Sequence, residues 1–169
     1  MEKGGVRLYL VGFMGSGKTT VGKVLARKLK VPFVDVDEEV VLREGLSIPE
    51  IFALKGEGYF RRLEREVLRE LSEKLPAFVM ATGGGLGADE EAMEYMKSNG
   101  TVVWLDVDFD AFLRRTRQDP NRPLLKRPVD ELRRLFERRR AVYSKAHYRV
   151  KSARSPEQTA RRVLELLGL

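Results

Sequence analysis

Short runs of β-branched and aromatic residues alternate along this chain with longer stretches whose apolar positions recur at helical spacing. Residues 7–11 (R-L-Y-L-V) form an apolar run that stops at Gly12, the pattern of a strand buried on both faces. Residues 19–29 then carry Val21, Val24, Leu25, Ala26 and Leu29 on one helical stripe. Further strands are predicted over 31–36, 78–82, 101–106 and 147–150. Helices are predicted over 37–43, 59–74, 89–98, 110–116, 129–145 and from Ser155 to about residue 167. Ser47-Ile48-Pro49-Glu50 has capping-box spacing with Pro near the helix start, and predicts a short helix to about Lys55. The three prolines among the charges of 118–128 predict a loop. Strands joined by helices predict one α/β domain, a parallel sheet of about five strands covered on both faces.

Composition narrows the chemistry. The chain of 169 residues holds no Cys and one His, which excludes disulfides, Cys nucleophiles, Cys zinc sites and multi-His metal sites. No apolar run approaches the roughly 20 residues of a membrane helix. The first residues also lack a signal-peptide pattern. These observations predict a cytoplasmic protein with no membrane partner. The 32 Lys and Arg against 25 Asp and Glu, a net charge of +7, point to anionic partners without choosing among nucleic acid, phosphates and small acids.

The motif at residues 12–19, G-F-M-G-S-G-K-T, begins to choose. It matches G-x-x-x-x-G-K-[ST] at every required position and lies between a predicted strand and a predicted helix. Its glycines let backbone N–H groups turn inward, and the helix N-terminus adds positive potential. Lys18 is placed for β- and γ-phosphates, and the Thr19 hydroxyl for a divalent cation. ATP or GTP binding follows, with a chance Gly-rich turn as the bland alternative.

A kinase also needs a pocket that positions an acceptor. Asp35-Val36-Asp37 ends the second predicted strand, where period-two geometry puts both carboxylates on one side of the sheet's C-terminal edge. One could hold water on a metal and the other orient a hydroxyl; a plain helix cap is the structural alternative. Gly83-Gly84-Gly85 follows the third strand, a run that is costly unless backbone must approach something closely. Most arginines read as solvated helix faces. Arg61, at the start of a helix, Arg122, in the Pro-rich loop, and the doublet Arg139-Arg140 stand at more telling places, since guanidinium forks suit carboxylate and phosphate.

Taken in order, G-F-M-G-S-G-K-T, D-V-D, F-R-R-L-E (60–64), G-G-G, R-P-L-L (122–125) and R-R-A-V-Y (139–143) resemble the shikimate kinase family over nearly the whole chain. The resemblance implies a P-loop fold with sheet order 2-3-1-4-5. It implies a single kinase domain over 1–169, with a helical substrate-binding insert at about 37–64 and a lid at about 115–128. The implied activity is Mg²⁺- and ATP-dependent phosphorylation of the 3-hydroxyl of shikimate, on the path to chorismate and the aromatic amino acids.

By position, the resemblance makes Lys18, Asp37 and Arg122 catalytic. Gly15, Ser16, Gly17, Lys18, Thr19, Thr20, Arg115, Arg122, Arg154 and Pro156 would bind ATP. Asp37, Arg61, Gly84, Gly85 and Arg139 would bind shikimate, with Arg140 the alternative to Arg139. Thr19 would ligate the metal, and Asp35 would do so through water. The expected partners are ATP and shikimate alone, without nucleic acid, for a monomer. Two rivals stand against this: a gluconate or nucleoside monophosphate kinase, and a nucleic-acid-binding P-loop module supported by the +7 charge.

Overall fold

The computed structural model describes residues 5–116 and 127–169, and for Arg115 and Thr116 the backbone alone. The described strands are β1 (Arg7–Val11), β2 (Phe33–Asp35), β3 (Phe78–Ala81), β4 (Thr101–Asp106) and β5 (Tyr148–Lys151). They form one parallel sheet of order β2-β3-β1-β4-β5. The helices are α1 (Lys18–Leu29), α2 (Val36–Glu44), α3 (Ile48–Lys55), α4 (Glu57–Lys74), α5 (Gly84–Gly87), α6 (Glu90–Asn99), α7 (Phe109–Thr116), α8 (Val129–Tyr143) and α9 (Pro156–Leu167).

Alternation along the central strands splits the core into two layers. Tyr9 and Val11 of β1, with Val102 and Trp104 of β4, face the layer that receives α4, α6 and α8. Leu8, Leu10, Val103 and Leu105 face the layer of α1 and α9. Both faces are apolar, so the strands read as continuous hydrophobic runs rather than alternating ones. Arg7, at the start of β1, bonds the carbonyls of Ser72, Leu75 and Asn99 and so ties down the C-terminal ends of α4 and α6. The chain leaves β1 for the sheet edge at β2, returns through β3 beside β1, and crosses to β4 on the other side. The C-terminal ends of β1 and β3 therefore flank the switch point where open α/β sheets bind ligands.

Three local differences from the sequence reading matter for the site. The second strand is shorter than 31–36 and ends at Asp35, whose side chain accepts the Glu38 N–H and caps α2. Asp37 therefore sits in the first turn of a helix, not on a strand. The capping group is Asp35, because its extended backbone lets the carboxylate reach a free N–H that Asp37, already helical, cannot. Gly84 and Gly85 belong to one turn of helix, α5, rather than to a loop. Arg61 lies in the second turn of α4, since that helix starts at Glu57. The capping box at Ser47 and Glu50 forms with both hydrogen bonds, at 3.3 and 2.8 Å.

Candidate active site

The loop between β1 and α1 takes conformations that explain its glycines. Gly15 and Gly17 have φ of 76° and 91°, left-handed backbone that a Cβ would strain. Gly17 is the residue before α1, and no side chain caps that helix nor does any acidic residue stand in its first turn. The N-terminal N–H groups of α1 and their positive potential are thus left for an anion. Lys18 Nζ lies back over the loop, donating to the carbonyls of Gly12 at 2.6 Å and Phe13 at 3.1 Å. A cleft of 430 Å³ opens beside it, lined by residues 15–21 on one side and 152–156 and 159 on the other. The fold thereby brings Gly15, Ser16, Gly17, Lys18, Thr19 and Thr20 together with Arg154 and Pro156, as expected for one ligand. Ser152 Oγ donates to the Ser16 carbonyl at 3.2 Å and joins the two walls.

A second cleft, of 290 Å³, shares Lys18 and Thr19 with the first and continues to Asp35, Asp37, Gly83 and Gly84. Thr19 Oγ1 donates to Asp35 Oδ2 at 3.0 Å. These are hard oxygen donors of the kind Mg²⁺ accepts, so the pair fits the cation that the sequence reading implies. No group of three or more His, Cys, Asp or Glu side chains gathers among the described residues. A divalent cation here would draw most of its ligands from phosphate oxygens and water.

Beyond Asp35 the floor is the turn at residues 83–85, and each of its glycines stands against a different charged side chain. A Cβ on Gly83 would lie 2.7 and 2.8 Å from the Asp37 carboxylate oxygens and 2.8 Å from Glu64 Oε2. One on Gly84 would lie 3.0 Å from Arg139 Nη1, and one on Gly85 only 2.4 Å from Arg61 Nη1. None of the three has a positive φ. Their role is close approach, and they let two carboxylates and two guanidiniums converge on one turn from α2, α4 and α8.

Glu64 is the member of this cluster that sequence reasoning passed over. It is 1% exposed and holds Arg61 Nη1 on Oε1 at 2.8 Å. Among the described residues its Oε2, like Asp37 Oδ1, is buried without a hydrogen-bond partner. Burial foremost, and the adjoining Asp37 carboxylate after it, push the Glu64 carboxyl well above the usual range against the pull of Arg61. The available signal was its position three residues after Arg61 on a helix, which makes the two neighbours.

The arginines differ in how they are satisfied. Burial works against the charge on Arg61, but Glu64 and Glu57 outweigh it and raise its pKa. No carboxylate among the described residues lies within ion-pair distance of Arg139, which rests over the Phe13 ring at 5.7 Å. Burial, reinforced by the Arg61 charge and opposed by the Tyr143 phenol, holds Arg139 below the ordinary arginine value. The next residue, Arg140, turns away to Asp106 at 2.7 Å. Of the doublet, only Arg139 therefore faces Arg61 across the glycine turn. Phe60 is 2% exposed and packs on Phe52, and is a core residue. His147 Nδ1 accepts the Val102 N–H at 2.9 Å, a structural use. Arg122 lies outside the described residues, as does the side chain of Arg115.

The family model described as shikimate kinase matches residues 14–168. The chain belongs to the shikimate kinase family. The shikimate kinase of Aquifex aeolicus (strain VF5) is 58% identical over 159 residues, covering 94% of each chain. A crystal structure of shikimate kinase from Aquifex aeolicus VF5 superposes with a TM-score of 0.89 at 57% identity, covering 96% of each chain. Shikimate kinase from Acinetobacter baumannii, solved in complex with shikimate, gives 0.91 at 40% identity, covering 96% of this chain and 93% of that one. Membership in the family makes the chain an enzyme, a kinase with an α/β P-loop fold.

Proposed function

We propose that this enzyme transfers the γ-phosphoryl group of ATP to the 3-hydroxyl of shikimate. The observation that carries the reading is the pair of clefts meeting at Lys18 and Thr19. One is walled by backbone N–H groups; the other is lined by Asp35 and Asp37 and ends at the glycine turn, where Arg139 stands against Gly84 and Arg61 against Gly85. A small acid with several hydroxyls matches the second cleft: its carboxylate supplies the counter-charge that Arg139 lacks among the described residues, and its hydroxyls suit Asp37. The Acinetobacter baumannii relative in complex with shikimate supports the same choice.

The steps follow from the residues. Backbone N–H groups of residues 15–19 and the α1 N-terminus hold the phosphates, with Lys18 moving from the loop carbonyls onto them. Arg154 and Pro156 border the far end of that cleft and flank the adenine. Thr19, and Asp35 through water, would hold Mg²⁺, which would neutralise phosphate charge. Arg61 and Arg139 grip the shikimate carboxylate as planar forks, with Gly84 and Gly85 letting the substrate lie close. Asp37 Oδ1 takes the hydrogen of the 3-hydroxyl and aims its oxygen at the γ-phosphorus. Phosphoryl transfer runs through a loose transition state, so alignment and charge neutralisation supply most of the rate. Arg122 and Arg115, expected to bind ATP from the family resemblance, lie outside the described residues, Arg115 by its side chain. The residues 37–64 form the acceptor-binding insert, in a monomeric cytoplasmic enzyme; most of the lid expected at about 115–128 lies outside the described residues.

An ADP-release assay with ATP, Mg²⁺ and a panel of shikimate, gluconate and nucleoside monophosphates tests the reading. Turnover is expected with shikimate alone. Turnover of another acceptor in its place would overturn it.

A further inference from the structure

Arg139 can meet a carboxylate only if α8 is held at one rotation, because neighbouring residues on a helix point about 100° apart. The buried side chains Leu132, Phe136 and Tyr143 press α8 onto the core and set its rotation to within the width of that apolar stripe. Among the described residues no side chain caps its N-terminus. Two polar ties do more. Tyr143, one turn after Arg139, donates its hydroxyl to the Gly84 carbonyl at 2.7 Å. Arg140 donates through Nη1 to Asp106 Oδ1 at 2.7 Å.

Asp106 ends β4 and is 4% exposed. Its other oxygen, Oδ2, accepts from Arg149 Nε at 2.8 Å, and from Nη2 as well. Both guanidiniums lie over the Trp104 ring, at 4.9 Å for Arg140 and 5.0 Å for Arg149. Arg140 also lies 5.5 Å from the Phe136 ring centre. The carboxylate is thus desolvated, doubly paired, and anchored to the rigid end of a central strand. Such a pair is a poor source of stability but a strong constraint on geometry, since breaking it leaves a half-buried charge without a partner.

We infer that Asp106 is a positioning residue of the acceptor site: by holding Arg140 it sets the rotation of α8 and turns Arg139 toward Arg61. Arg149 shares the carboxylate but belongs to β5 and does not steer α8. The inference rests on shikimate being the acceptor.

Steady-state kinetics and melting of Asp106→Asn and Arg149→Ala test it. Both substitutions disturb the same buried pair and lower the melting temperature. Only Asp106→Asn is expected to raise the KM for shikimate, by about tenfold, since a small misplacement of a binding group is costly. Its KM for ATP should stay within about twofold, and Arg149→Ala should keep both KM values. An unchanged shikimate KM in Asp106→Asn, or an equal rise in Arg149→Ala, overturns the inference. Should Asp106→Asn fail to fold, Arg140→Met keeps the apolar stem and must show the same rise; a wild-type KM there also overturns it. Wild-type enzyme that does not use shikimate would instead strike the acceptor assignment.

Discussion

The two halves of the site are built from different material. The phosphate-binding part of the nucleotide half is made of backbone: left-handed glycines, the open N-terminus of α1 and one lysine, all within eight consecutive residues. The acceptor half is made of side chains that arrive separately, Asp37 from α2, Arg61 and Glu64 from α4 and Arg139 from α8, around a turn without Cβ atoms. A backbone site suits a ligand whose recognised part is a chain of phosphates. A side-chain site can match the hydroxyls and carboxylate of one particular acid. Glycine serves both halves for unlike reasons, positive φ in the first and close approach in the second.

That contrast predicts substitutions that separate the halves. The largest effect is expected from Asp37→Asn: turnover should fall by about 10²–10³-fold, the range of a lost acid–base or alignment contact. Nucleotide affinity, measured by titration calorimetry, should stay near wild type. Near-normal turnover would remove Asp37 from the mechanism. Arg139→Lys should come next, raising the KM for shikimate by about tenfold, because a point charge cannot replace a bidentate fork. An unchanged KM would take Arg139 out of the grip.

The glycines offer the sharpest contrast. Gly17→Ala imposes left-handed backbone on a residue with a Cβ, at about 1–2 kcal/mol, and should weaken ATP without touching shikimate. Gly85→Ala pushes on Arg61 from 2.4 Å and should do the reverse. Equal effects of both substitutions on both ligands would mean that the halves are not separable.

The smallest effect concerns pH. Glu64 in the folded protein binds its proton above the ordinary value of 4.5. The native state then holds more protons than the unfolded chain from that value upward, so this carboxyl's contribution to stability is present at low pH and lost as pH rises through the raised pKa. Melts of the ligand-free protein should show this decline, and Glu64→Gln should flatten it. A decline that persists in Glu64→Gln would assign it to another group.

How much of this could be read from the chain follows the same division. The phosphate loop was legible because its conformation is set locally, by residues adjacent in sequence, and the sheet order came with the family resemblance. Asp35 and Asp37 were singled out, but their geometry was not read: a strand's alternation was assumed where a helix cap takes over. The triple glycine was noticed, and its reason was not, because the partners of Gly83, Gly84 and Gly85 lie far away in sequence. Glu64 escaped because an acid three residues from an arginine on a charged helix looks like a surface pair. Of the doublet Arg139-Arg140 the resemblance favoured Arg139 by its spacing from Tyr143, without a physical reason to set Arg140 aside. The choice between them is made by Asp106, on a strand more than thirty residues earlier. The surplus of positive charge also reads differently in three dimensions. Arg43, Lys55 and Lys145 meet surface carboxylates in pairs that leave the net charge unchanged, while Arg7 spends its guanidinium on helix-end carbonyls at the start of β1.

The most direct test of the account is the position of the new phosphate ester, since the acceptor half is argued to present one hydroxyl to ATP. Phosphorus NMR of the product made from shikimate should show the phosphate coupled to the proton on carbon 3. Coupling to the proton of carbon 4 or 5, or no phosphorylated shikimate, would contradict it.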